Sequence, residues 1–274
     1  SYNESMQKIS MLQYKVAQIS IHSNKFNPIL SGGKLFQQWV VDSYLQVEAN
    51  NLNYIKTNQK KLRVEQYKGL IDYLNIQTTE VVGRPVILPS TFQGSPRNMR
   101  ERYHDAMSMV TKFGKPDLFI TMTCNPNWKE IRDQLLPGQQ PCDRPDLVAR
   151  VFKLKLEALR TDIIKNKIFG NVKAHVYTIE FQKRGLPHAH MLFILEHKVD
   201  TVEMIDKIVS AEIPKTNEDE RLHNLVMKHM IHGPCGSANP NAPCMENGIC
   251  TKGFSKEFNT HTKITEGYPV YRRR

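Results

Sequence analysis

Apolar positions along the chain fall into two rhythms, a helical one that dominates the first half and the segment after it, and an alternating one that marks strands. From Lys34 to about Asn51, Leu35, Trp39, Val40, Tyr44 and Val47 recur at helical spacing, and Asn58 to about Leu74 does the same through Leu62, Gln66, Leu70 and Tyr73. These runs predict two packed helices. Ser1 to Ser31 shows no clear period and is set off by Ser31-Gly32-Gly33, which suggests a small or partly ordered leader. Pro85 to Gly94 has the punctuation of a short strand and loop, and Ser95-Pro96 then opens a helix that ends on Val110 and Phe113, since proline is well accepted in a first turn. Asp117 to Thr123 alternates and predicts a buried strand, followed by a turn into a helix with Asn127 as cap. Pro145 to about Lys167 carries Leu147, Val148, Val151, Phe152, Leu154, Leu156, Leu159 and Ile163, a strong amphipathic helix. Two further strand-like runs, His175–Ile179 and Met191–Leu195, flank Lys183-Arg184-Gly185-Leu186-Pro187, which has the glycine and proline of a hairpin loop. Helices near Val202–Val209 and Leu222–Met230 follow, separated by the acidic turn Glu218-Asp219-Glu220.

This succession predicts an α+β fold: a central antiparallel sheet with flanking helices and a small Cys/His-rich C-terminal subdomain. At 274 residues and 40% hydrophobic, the chain can bury a substantial core. A net charge of +11, from 38 Lys and Arg against 27 Asp and Glu, favours a polyanionic partner. No apolar stretch of about 18 residues is present, so no membrane partner is expected, and no signal peptide is read at the start. Five cysteines, an odd number with three clustered, argue against a secreted disulfide framework and for a reducing compartment.

Candidate chemistry concentrates in three places. His188 and His190 are separated by one residue at the start of a strand, so both imidazoles share a face and can meet one divalent cation, while Ala189 points the other way. The hairpin can fold Glu180 back beside them, and two imidazoles with a carboxylate suit Mn²⁺ or Mg²⁺ as well as Zn²⁺. The plainer alternative is a strand that is simply polar where it begins. Second, Cys235, Cys244 and Cys250, with His229 and His232 upstream, offer a Cys₃His set for structural Zn²⁺. Their C-x8-C and C-x5-C spacings match no zinc-finger formula, and the alternative is small buried packing residues; His232 is preferred to His229 because it lies nearer Cys235. Third, the helix after Ser95 carries Arg97, Arg100, Arg102, Tyr103 and His104, cations with an interleaved aromatic that suit single-stranded DNA, or that merely solubilise a helix. Lys56, Lys60, Lys61, Arg63 and Lys68 read more simply as a solvated helix face, and Cys142 as an incidental thiol in a Pro/Gly-rich loop.

Three blocks carry a family resemblance: GKPDLFITMTCNPNW at Gly114–Trp128, YTIEFQKRGLPHAHMLFIL at Tyr177–Leu195, and HMIHGPCGSANPNAPCMENGIC at His229–Cys250. Together they resemble the HUH endonucleases, and more closely the replication-initiator-like domain at the N-terminus of Helitron transposases, the Helitron helicase-like domain. The resemblance implies a metal-dependent single-stranded DNA nickase and strand transferase of rolling-circle transposition. In such enzymes the metal polarises the scissile phosphate and a tyrosine attacks to leave a 5′-phosphotyrosine link. On this reading His188 and His190 are metal ligands, with Glu180 as the third and Gln182 in reserve, since strand alternation puts both on one face. Arg97, Arg100, Arg102, Tyr103, Asn125, Lys183 and Arg184 become candidate DNA contacts.

The resemblance also divides the chain into a leader (1–33), a helical region (34–113), an HUH-type core (114–228) and a zinc-stabilised segment (229–274). Family members carry the nucleophilic tyrosines on a helix downstream of the histidines, followed by a helicase domain. That tyrosine pattern does not occur before Arg274: Tyr268 and Tyr271 flank Pro269, which argues for a turn or extended strand. The catalytic tyrosine is therefore expected downstream, and this chain by itself is expected not to nick. The implied partners are single-stranded DNA, transposon ends and the helicase domain of the parent protein, and the implied location is a nucleus. The alternative is a catalytically silent nucleic-acid-binding module from a truncated or decayed element.

Overall fold

The computed structural model describes residues 8–21, 25–59, 61, 86–181 and 185–274, which fall into two units, residues 1–196 and 197–274. In the first unit, helices α1 (Met11–Gln18), α2 (Lys34–Thr57) and α3 (Pro96–Phe113) precede a three-stranded antiparallel sheet of β1 (Leu118–Thr123), β2 (Val172–Phe181) and β3 (Pro187–Leu195). A four-residue helix α4 (Lys129–Arg132) and a long helix α5 (Pro145–Ile164) lie between β1 and β2. The fold is thus mixed helix and antiparallel sheet.

The sheet order is β1-β3-β2, so β3 is paired along both edges. Its alternation sorts the side chains as far as Phe193, after which Ile194 and Leu195 are both buried. Ala189, Met191, Phe193 and Leu195 are buried, whereas His188, His190 and Leu192 are only half-buried. Removing Met191, Phe193 and Leu195 from water contributes about 1.5–3 kcal/mol each. Helix α5 supplies the opposing apolar surface through Leu147, Val148, Val151, Phe152, Leu156 and Ile163. It lies on the Met191 side, where the Arg160 guanidinium sits 4.5 Å from the Tyr177 ring centroid and its Nη2 is 3.2 Å from His175 Nε2. Burial first, and the Arg160 charge second, hold His175 below the ordinary histidine value. The hairpin turn needs left-handed backbone, and Gly185 supplies it at φ +74°.

The start of α5 is pinned by a buried ion pair. Arg144 Nε and Nη2 each donate to an Asp146 carboxylate oxygen at 3.0 Å, bridging Pro145 at the first helical position. The two side chains are only 7% and 4% exposed.

Several local expectations change. The strand Asp117–Thr123 is not buried: β1 is an edge strand with half-buried and exposed residues alternating, because it pairs with β3 on one side alone among the described residues. Val86–Pro89 forms no strand; the Gln59 side-chain amide takes both backbone groups of Ile87, at 3.1 Å each, in place of a neighbouring strand. The cap of α4 is Trp128 rather than Asn127, since the Asn125 carboxamide oxygen already accepts the Asn127 amide at 2.9 Å and holds that residue in the turn. Helix α2 runs on to Thr57, and Asn58 ends it instead of opening a new helix. The remainder of the expected Asn58–Leu74 helix lies outside the described residues. Helix α1, inside the unpatterned leader, starts from a Ser10/Gln13 capping box.

The second unit contains α6 (Val202–Ile208) and α7 (Glu220–His229), capped by Thr201 and Asp219. Two small hairpins follow, β4 (Met245–Glu246) with β5 (Ile249–Cys250), and β6 (Lys263–Thr265) with β7 (Tyr268–Val270). Its buried apolar side chains are Ile205, Ala242 and Cys250 among the described residues, a thin core for the length of chain. Glu212 gathers the chain end, accepting from Arg274 Nε at 2.8 Å and lying 3.4 Å from Arg272 Nε.

Candidate metal centres

Antiparallel register decides what surrounds the histidine pair. Across β3, His188 faces Thr123 on one side and Glu180 on the other, while His190 faces Thr121 and Thr178. Directly paired residues share a face, so these side chains line one patch. Thr123 Oγ1 lies 2.7 Å from His188 Nδ1, and Thr121 Oγ1 lies 3.3 Å from His190 Nδ1. On the other side, Glu180 Oε2 approaches His190 Nε2 at 3.7 Å. The two imidazoles meet edge to face with centroids 4.5 Å apart. Phe119, 65% exposed, lies parallel to the His190 ring at 5.6 Å and 6° between planes. The patch therefore brings together two imidazoles, one carboxylate and the hydroxyls of Thr121, Thr123 and Thr178. Gln182, Lys183 and Arg184 lie outside the described residues.

In the second unit, His232, Cys235, Cys244 and Cys250 converge so that their ligand atoms all lie within 4.8 Å of one another, a group that could hold a metal ion. His232 Nε2 is 3.4 Å from the Cys244 sulfur and 3.6 Å from that of Cys250. A two-residue turn explains the convergence. Asn247 and Gly248 both have positive φ, at 51° and 77°, and fold β5 back on β4 so that the Thr251 amide donates to the Cys244 carbonyl at 2.8 Å. The ring of Phe254 stacks on His232, centroids 4.1 Å apart. The thiols are electrostatically unequal. Backbone N–H groups of Phe254 and Lys252 bring Cys250 down to about 6, whereas desolvation, with the neighbouring Cys250 and Cys244 sulfurs, pushes Cys235 up to about 11. His229 ends α7 and is not part of the group.

The family described as "Helitron helicase-like domain at N-terminus" matches residues 12–193. The chain belongs to this family. A search among curated proteins finds no match. The Helitron match spans α1 through nearly all of β3, and so includes Glu180, His188 and His190, but ends before the Cys/His group.

Within the Helitron domain, α3 presents much of its basic face to solvent. Tyr103 is 61% exposed and meets His104 edge-on at 5.7 Å, while Arg100 Nε lies 3.4 Å from His104 Nε2. Arg102 is partly committed to the helix itself, donating to Asn98 Oδ1 at 3.2 Å. Asn125 is held by its turn, and Trp128 is half-buried with the Lys155 ammonium 5.1 Å from its ring. Sequence reasoning missed Thr121, Thr123 and Phe119 as neighbours of the histidines. The signal was present, since Thr121 and Thr123 show the same i, i+2 spacing as His188 and His190. It also missed the Asn247-Gly248 turn that joins two of the cysteines.

Proposed function

We propose that the chain is the DNA-nicking part of a Helitron transposase, a metal-dependent endonuclease and strand transferase acting on single-stranded transposon ends in the nucleus. The observation that carries this reading is the face shared by Glu180, His188 and His190, with the carboxylate 3.7 Å from an imidazole nitrogen. That donor set fits Mn²⁺ or Mg²⁺: oxygen and imidazole ligands without thiolate. A cation held there would offset negative charge developing on the scissile phosphate oxygens. Around it, the open sheet face receives the DNA strand, and the α3 cations Arg97, Arg100 and Arg102 follow the backbone while Tyr103 stacks on a base. Lys183, Arg184 and Asn125 extend the contact, and Gln182 is a reserve ligand.

The attacking tyrosine is proposed to lie beyond residue 274, ahead of the helicase domain of the parent protein. Tyr177, on the same sheet, pairs with buried Met191 and so belongs to the opposite face. Tyr268 is exposed in a strand hairpin rather than on a helix. These observations equally favour a second reading, a silent single-strand-binding module.

The Cys/His group is proposed as a structural Zn²⁺ site. A tetrahedron with Zn–N near 2.0 Å and Zn–S near 2.3 Å has an N···S edge of about 3.5 Å. The His232 distances to Cys244 and Cys250 bracket that value.

Mn²⁺ titration by calorimetry, after zinc content has been fixed by elemental analysis, tests the sheet site against a His188→Ala/His190→Ala double variant. Saturable binding that disappears in the variant supports the nickase reading, and equal binding by both chains sinks it. Metal-dependent cleavage of single-stranded DNA by a protein extended past residue 274 separates the nickase from the silent module.

A further inference from the structure

We propose that Thr121 and Thr123 are positioning residues that lock both histidines of the sheet site in one tautomer. The inference rests on the metal-site reading above and deepens it. Each threonine is the direct cross-strand partner of one histidine, and each hydroxyl oxygen lies next to that ring's Nδ1, at 3.3 Å for His190 and 2.7 Å for His188. A neutral imidazole has one N–H and one lone pair, and the hydrogen bond at one nitrogen decides which is which. A threonine hydroxyl can accept from an Nδ1–H or donate to a bare Nδ1. The proposed role is the acceptor one, which is the only one compatible with a cation on Nε2, and it leaves the Nε2 lone pair of both rings facing the site.

That is the nitrogen the site requires. Glu180 Oε2 lies 3.7 Å from Nε2 of His190, on the side away from Thr121. The threonines therefore stand behind the rings and the carboxylate in front. Strand geometry makes the arrangement inexpensive: T-x-T on β1 and H-x-H on β3 share the two-residue period, so one register sets both hydrogen bonds together. β-Branched threonine suits a strand position and restricts its own χ1, so the acceptors arrive with little rotamer freedom left to lose. Phe119, parallel to His190, limits rotation of that ring further.

The test uses the 274-residue chain with ¹⁵N-labelled histidine, free of metal at the sheet site. Long-range ¹H–¹⁵N spectra should report Nδ1–H tautomers for His188 and His190. A Thr121→Val/Thr123→Val variant preserves shape and strand preference but removes both acceptors. It should shift both rings towards the Nε2–H form and weaken Mn²⁺ binding by about 10–100-fold, the usual effect of losing a partner behind a metal-bound histidine. Its thermal midpoint should stay near that of the parent. A Thr121→Ser/Thr123→Ser variant restores the hydroxyls and should recover both the tautomers and the affinity. Nε2–H rings in the parent, or valine substitutions that change neither tautomer nor affinity, would overturn the proposal. Nδ1–H rings in a parent chain that takes up no Mn²⁺ would uphold the tautomer lock and overturn instead the metal site it serves.

Discussion

Asp146→Ala should be among the most destabilising single substitutions in the first unit, although it touches no candidate site. The carboxylate accepts two 3.0 Å hydrogen bonds from the Arg144 guanidinium, and the two side chains are nearly inaccessible to water. At that separation and an effective dielectric constant near 20, the attraction is roughly 5 kcal/mol, and desolvation of both ions cancels much of it. The pair as a whole therefore contributes little, but one half left alone is a buried, uncompensated charge. Removing Asp146 should cost about 3–5 kcal/mol, which lowers the melting midpoint by roughly 6–20 °C for a unit of this size. The double variant Arg144→Met/Asp146→Leu should lie within about 1 kcal/mol of the parent, because packed apolar groups replace the ions. Urea unfolding followed by circular dichroism, on parent, single and double variants, measures all three. A single variant as stable as the parent would show that the pair is not buried in solution. A double variant as unstable as the single one would show that the ion pair itself supplies the stability.

Three further outcomes are expected. Because His175 is held below its ordinary value by burial and Arg160, the unfolded chain takes up a proton near pH 6.5 before the folded one does; stability should be full above that pH and fall below it, and His175→Gln should flatten the slope measured by urea unfolding between about pH 7 and 5. Chelating zinc, or Cys235→Ser with Cys244→Ser, should abolish amide-exchange protection in residues 197–274 while Mn²⁺ binding at His188 and His190 persists; retained protection in a zinc-free chain contradicts the structural role. Arg97→Ala/Arg100→Ala should weaken single-stranded DNA binding uniformly across sequences and make the log–log salt dependence shallower by about 0.7 for each phosphate no longer neutralised, whereas an unchanged salt slope removes α3 from the interface.

Local rules made some of this geometry legible and left other parts hidden. That His188 and His190 share a face follows from strand alternation alone, and that Glu180 lies opposite His188 follows from a hairpin in which Phe181 pairs with Pro187. Both are short-range facts. The threonines are not, because Thr121 and Thr123 meet the histidines only when β1, some 65 residues upstream, takes the other edge of β3. The strand expected at Pro85–Gly94 failed for a similar reason: its extended backbone is satisfied by a single side chain, Gln59, which no local pattern announces. The Cys/His group shows the reverse case. Asn247-Gly248 is a strong short-range hairpin signal, and read with the cysteine spacing it accounts for how Cys244 and Cys250 meet.

The middle strand also divides the ways in which this protein can fail. On β3 the even-numbered residues His188 and His190 bear the candidate chemistry, while the odd-numbered Ala189, Met191, Phe193 and Leu195 bear the core. A mutation at His188 or His190 can erase the candidate chemistry and leave the fold intact, whereas one at Ala189, Met191, Phe193 or Leu195 weakens the fold and the site with it. Substitutions can therefore accumulate first as folded proteins that have lost the candidate metal site.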